Sequence, residues 1–149
     1  MRKLLPLICL FLSFASGTHA QDPVHWNFNT ISTKDGETVR LTATIDPGWH
    51  IYAMTQPPEA ISEPTKIQFQ SNPLFRFTGE LKEGGRKETY TNKEVGITQF
   101  QYRDSVTYTR AFLLRGSART TITGTITYQA CTDEQCLLPK TIPFSVAIP

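Results

Sequence analysis

From Glu37 onward apolar and polar side chains alternate, with Val39, Leu41, Ala43 and Ile45 on one side and Thr38, Arg40, Thr42 and Thr44 on the other. A period of two predicts a strand with one buried face. The pattern returns at 120–130, where Ile122, Gly124, Ile126, Tyr128 and Ala130 alternate with Thr121, Thr123, Thr125, Thr127 and Gln129. It returns again at 141–148 with Ile142, Phe144, Val146 and Ile148. Threonine branches at Cβ and fits a pleated surface better than a helix, so these runs predict strands. They also predict a hairpin of the last two runs around the short segment between them. Further β-rich runs lie at 24–31, 66–70, 74–78, 99–102 and 105–114, and few segments carry a helical stripe. Asp46-Pro47-Gly48 supplies turn chemistry ahead of Trp49-His50-Ile51-Tyr52, because proline fixes φ and glycine permits reversal. Gln56-Pro57-Pro58-Glu59 and the charged, glycine-rich stretch 81–92 predict loops. Many short strands joined by such turns predict an all-β, immunoglobulin-like two-sheet β-sandwich.

The first residues have a different pattern. Arg2 and Lys3 precede an apolar run from Leu4 to Phe14, and small or polar residues follow, ending at Thr18-His19-Ala20. This layout predicts a signal peptide over residues 1–20 and a single domain over 21–149, with an apolar run too short to span a bilayer. Cys9 sits inside that run behind the bulky Ile8, where a lipid anchor would require a small residue, so it counts as apolar filler. The chain is therefore expected to be exported and not membrane-spanning. Its formal net charge of +2 is matched by the two basic residues of the leader. The remainder is balanced, which removes the electrostatic basis for a nucleic-acid partner.

Once the leader is gone, Cys131 and Cys136 are the remaining cysteines. Within one chain they can pair only with each other, and export places them where a disulfide persists. Residues facing each other across a short hairpin lie within the Cα separation a disulfide needs. A bridge over so short a loop constrains the unfolded chain by only about 2 kcal/mol, less than a bridge between sheets would, so it is better suited to exchange than to stapling. Asp133 and Glu134 lie between the cysteines and disfavour a neighbouring thiolate, and Lys140 is the nearest cation in sequence. A zinc site would need two further ligands, and His25 and His50 form no second close pair, so neither metal nor cofactor is expected. The rival reading is a non-catalytic secreted β-sandwich binding module with a structural disulfide, in which Trp26 and Trp49 would form an aromatic platform.

Two motifs carry a family resemblance. Tyr128-Gln129-Ala130-Cys131 followed by Cys136-Leu137-Leu138-Pro139 resembles the Tyr-Gln-Gly-Cys and Cys-Tyr-Pro-Pro elements around the redox pair of the N-terminal domain of the thiol:disulfide interchange protein DsbD. Gly48-Trp49-His50-Ile51-Tyr52 is similar to that family's Gly-Tyr-Tyr-Leu-Tyr segment, and Tyr102-Arg103-Asp104 is a weaker third point. The resemblance implies a periplasmic thiol-disulfide interchange module, with full secretion as the alternative. It implies a protein-disulfide reductase component that carries electrons through Cys131 and Cys136 from a membrane thiol reductase, acting in trans, to thioredoxin-like envelope proteins. Cys136 would form the mixed disulfide and Cys131 would resolve it. His50, Tyr52, Trp49 and Tyr128 would be active-site neighbours. The stretch Lys93-Glu94-Val95-Gly96 corresponds to the family's cap loop, with Glu94 and Val95 as its possible cap residues. It lacks the aromatic residue found there, and the two cysteines stand one residue closer together than in the family.

Overall fold

Strands form where the alternation predicts them. The computed structural model describes residues 22–34, 36–117 and 119–148, and the predicted leader, residues 1–20, lies outside the described residues. The strands are β1 (Val24–Thr33), β2 (Gly36–Ile45), β3 (His50–Tyr52), β4 (Lys66–Phe69) and β5 (Phe75–Phe77). They continue with β6 (Lys82–Asn92), β7 (Ile97–Leu114), β8 (Thr120–Tyr128), β9 (Ala130–Cys131) and β10 (Lys140–Ile148). All pairings are antiparallel and fall into two sheets. One sheet runs β1-β2-β7-β3-β9 with β5 and β6 also on β7, and the other runs β10-β8-β4. This is the expected all-β, immunoglobulin-like two-sheet sandwich. The predicted hairpin partners β8 and β10 pair along their whole length, from Lys140 opposite Tyr128 to Ile148 opposite Thr120.

The alternation read in the sequence is the alternation of burial. Val39, Leu41 and Ala43 of β2 and Ile122 and Ile126 of β8 are fully buried between the sheets, together with Tyr108 of β7. Each of the valine, leucine and isoleucine side chains contributes about 1.5–3 kcal/mol by leaving water. Trp26 packs into this layer too, with its ring 5.5 Å from Tyr128 and 6.0 Å from Tyr108. Trp49 packs against the same core. Neither tryptophan forms the free platform of the binding-module reading.

Two expectations need correction. The runs 99–102 and 105–114 are one strand, β7, whose Asp104 takes a left-handed φ of 63° while the strand continues through it. Opposite that point the β6 register shifts between Gly85 and Lys87. The stretch 81–92, expected as a loop, is mostly the edge strand β6. Its side chains are largely exposed, so it needs no apolar face, and the periodic signal was never there to read. Gly85 is required at the bulge, since its φ is 154° and a Cβ would lie 2.9 Å from the Ser105 carbonyl oxygen.

β7 is the spine on which the site is built. β6 lies along one side of it, while β2 and β3 share the other. Phe100 and Tyr102 point into the core, so Gln99, Gln101 and Arg103 project from the outer face of the larger sheet.

Candidate functional site

Asp46-Pro47-Gly48-Trp49 closes a tight turn, with the Trp49 amide donating to the Asp46 carbonyl at 3.1 Å and Gly48 at a φ of 85°. Proline at the second position and a left-handed glycine at the third are the requirements of a type II turn. The turn delivers β3 onto β7, where Tyr52 lies opposite Gln101. The Thr65 hydroxyl donates to the Tyr52 carbonyl at 2.6 Å and fixes the end of the strand. Ile51 faces the core, so His50 and Tyr52 face outward on the same side as Gln99, Gln101 and Arg103. β9 adds to the far side of β3 with His50 opposite Cys131. The side chains of directly opposed residues lie side by side.

The chain after Cys131 folds back over this outer face. Cys131 and Cys136 form an isolated antiparallel bridge, their Cα atoms 4.0 Å apart and their sulfurs joined. The bridge is flanked by hydrogen bonds from the Thr132 amide to the Gln135 carbonyl (2.7 Å) and from the Leu137 amide to the Ala130 carbonyl (2.9 Å). The Thr132 hydroxyl accepts from the amides of Glu134 and Gln135 at 3.2 and 3.1 Å, which holds the turn. The consequence is an unequal pair of sulfurs. Cys131 is fully buried beneath the turn, and Cys136 is exposed.

A cavity of about 250 Å³ opens beside the disulfide, lined by His50 and Tyr52 of β3, Tyr90 of β6, Gln99 and Gln101 of β7, and residues 132–136. The Tyr52 hydroxyl donates to Cys131 Sγ at 3.3 Å and stands 3.9 Å from Cys136 Sγ. Burial pushes the Tyr52 phenol above its ordinary value of 10.0, against a hydrogen bond from Gln99, so it stays a donor at neutral pH. His50 is 4% exposed, meets Tyr52 edge-on at 5.4 Å, and its Nδ1 has no hydrogen-bond partner among the described residues. Burial and the Arg103 guanidinium hold its pKa below 6.5, while Asp133 and Glu88 oppose them. The imidazole is therefore neutral at pH 7.

Arg103 changes the electrostatics expected from the sequence. Its guanidinium donates to Asp133 at 2.7 Å and to Glu88 at 3.2 Å, tying the cysteine turn to β7 and β6. The same contact holds the Asp133 carboxyl below its ordinary range. Of the two acidic residues between the cysteines, Asp133 thus arrives with its own counter-charge, and its effect on a thiolate is offset.

Cys131, Cys136, His50 and Tyr52 are therefore brought together. Trp49 and Tyr128 are not part of the cavity lining: Trp49 packs on the core, and the Tyr128 hydroxyl donates to Asp22 at 2.8 Å. Glu94 and Val95 sit exposed in the turn between β6 and β7 and do not line the cavity. The aromatic side chain at the rim is Tyr90, 43% exposed and opposite Gln99. Tyr90, Gln99, Gln101 and Arg103 were not singled out from the sequence as site residues. The signal that finds the three on β7 is its alternation about Phe100 and Tyr102, which puts 99, 101 and 103 on one face of the sheet, and Tyr90 follows from the β6 register opposite Gln99.

A family model described as "Thiol:disulfide interchange protein DsbD, N-terminal" matches residues 19–147. Among solved structures, the reduced N-terminal domain of DsbD from Neisseria meningitidis superposes with a TM-score of 0.51 at 17% identity, covering 83% of this chain and 85% of that one. The DsbD N-terminal domain in complex with the PilB N-terminal domain from the same organism gives a TM-score of 0.50 at 16% identity, covering 80% of each chain. No curated protein sequence matches. Among the described residues, no helix is long and apolar enough to cross a membrane.

Proposed function

The chain belongs to the family of the N-terminal domain of the thiol:disulfide interchange protein DsbD, and we propose that it is a periplasmic dithiol/disulfide carrier working through Cys131 and Cys136. The observation that carries this reading is the unequal exposure of the two sulfurs, one fully buried and one at the surface beside an open cavity. A partner thiolate attacks Cys136 Sγ, the bond between Cys136 and Cys131 breaks, and Cys131 leaves with the electron pair under the Tyr52 hydroxyl. A second thiolate of the partner then attacks its own sulfur in the mixed disulfide and releases Cys136, so the partner is oxidised and the carrier holds two thiols. The reverse sequence passes the electrons on. The complex of a DsbD N-terminal domain with the PilB N-terminal domain supports a protein as the partner. Thioredoxin-like envelope proteins and a membrane thiol reductase are the partners the reading calls for.

The test is trapping by single cysteine variants. With a thioredoxin-like protein carrying one active-site cysteine, Cys131→Ser is expected to accumulate a mixed disulfide through Cys136. Cys136→Ser is expected to form little, because its remaining sulfur is buried. Equal trapping by both variants, or a wild-type bridge with a potential well below about −300 mV and slow exchange, would return the bridge to a structural role.

A further inference from the structure

Thiol-disulfide exchange moves protons as well as electrons, and His50 is placed to handle them. The β3–β9 register sets it directly opposite Cys131, and its ring lines the same cavity as Cys136. Its Nδ1 is buried with no partner among the described residues, so a proton can enter or leave that nitrogen without breaking a hydrogen bond. An unpaired polar nitrogen under that much burial is costly and rare, and one beside a reactive sulfur pair asks for a chemical reason. The neutral imidazole is in the correct form to accept a proton.

Resting on the carrier reading, we propose that His50 is the proton acceptor and donor of the Cys131/Cys136 pair. In the reduced chain the Cys136 thiol gives its proton to His50. The thiolate attacks one sulfur of the partner disulfide, and the other sulfur leaves with the electron pair. His50 returns its proton to that leaving thiolate. Cys131 then loses its own proton to His50, attacks Cys136 Sγ, re-forms the bridge and expels the partner's second thiolate, which takes that proton in turn. One dithiol has become a disulfide, one disulfide a dithiol, and both protons have passed through the ring. The charged groups around His50 act on its protonated form in both directions. Arg103 of β7 opposes it, while Asp133 of the turn and Glu88 of β6 favour it; the Tyr52 phenol on β3 stays neutral, and Tyr90 of β6 lines the same cavity.

The experiment measures oxidation of the reduced protein by 2-hydroxyethyl disulfide between pH 5.5 and 9.5, followed by alkylation and mass shift, for wild type and His50→Gln. Wild type is expected to react with a half-maximal rate below about pH 7.5, and the variant near the free-thiol value of about 8.5. The variant is then about tenfold slower at pH 7 and equal to wild type above about pH 9. Superimposable profiles would overturn the assignment while leaving the carrier reading intact. An independent measurement needs no variant: the ring resonances of His50 are expected to titrate at higher pH in the reduced protein than in the oxidised one, and identical titrations would equally overturn it. A wild-type pair that reacts with neither the small disulfide nor a thioredoxin-like protein would remove the carrier reading, and this inference with it.

Discussion

Replacing Tyr52 by phenylalanine removes one oxygen atom from the site and little else. The ring, its edge contact with His50 and the Thr65 hydrogen bond to the Tyr52 carbonyl all remain. What is lost is the donor 3.3 Å from Cys131 Sγ, along with the acceptor of the Gln99 hydrogen bond. In the intact bridge that bond is weak, because a disulfide sulfur carries little charge. When Cys136 is attacked, Cys131 leaves as a thiolate at a position with no solvent exposure, and the phenol becomes a charge-assisted donor. Hydrogen bonds to charged groups contribute about 1.5–3 kcal/mol, or about one to two units in the pKa of the leaving thiol. If the leaving sulfur responds with a slope of about 0.4–0.5, as attacking thiols do, reduction slows by about three- to tenfold. The assay is the second-order rate of reduction by glutathione at pH 7, quenched with acid and read by alkylation and mass shift. A shield would behave in the opposite way, since trimming it opens the sulfur and speeds attack. A variant reduced at the wild-type rate or faster would refute the donor role.

Two further outcomes follow from the packing and the charges. Gly124→Ala would drive a Cβ into the Gln68 carbonyl oxygen and to 2.6 Å from the Phe144 ring, in the middle strand of the smaller sheet. We expect a loss of at least about 1–3 kcal/mol in urea unfolding, and a loss under about 0.5 kcal/mol would show that β4 moves freely. Burial alone would raise the Asp22 pKa, but Lys140, Tyr128 and the Val24 amide outweigh it, so the folded value lies below 3.8. A depressed carboxylate pKa contributes stability that is present above the unfolded value and is lost as pH falls through the folded one. The stability difference between wild type and Asp22→Asn should therefore be about 1 kcal/mol above pH 5 and vanish toward pH 2. A difference that persists at low pH would mean the asparagine acts through packing rather than charge.

How much of this was legible in the sequence depended on which residues had to be buried. β2, β8 and β10 each have one face in the core, and their alternation marked both their existence and the β8–β10 pairing. β6 has no such face, so hydrogen bonding to β7 forms it where local pattern cannot announce it. The two cysteines were legible as chemistry, because no other residue type forms that bond. Their surroundings were only half legible. His50 and Tyr52 came through motif resemblance, while Arg103 reached the site through an ion pair with Asp133, a contact spanning thirty positions. Glu94 and Val95 are cap candidates only through the correspondence of 93–96 to the family's cap loop. With 82–92 in strand, the register puts Tyr90 at the cavity rim and carries the turn beyond it.

The bridge spans a sequence separation of 5. A ring that small closes on an unfolded chain at little entropic cost, so oxidation need not wait for folding and does not certify it. What folding supplies is the difference between the two sulfurs, because the lid over Cys131 rests on β3, β6 and β7, segments far apart along the chain. An unfolded molecule offers either sulfur to any thiol, and the resulting mixed disulfides are of two kinds. On the proposed carrier reading, a folded molecule offers one. The ratio of those two adducts is thus a chemical readout of the folded population, available from a single alkylation experiment.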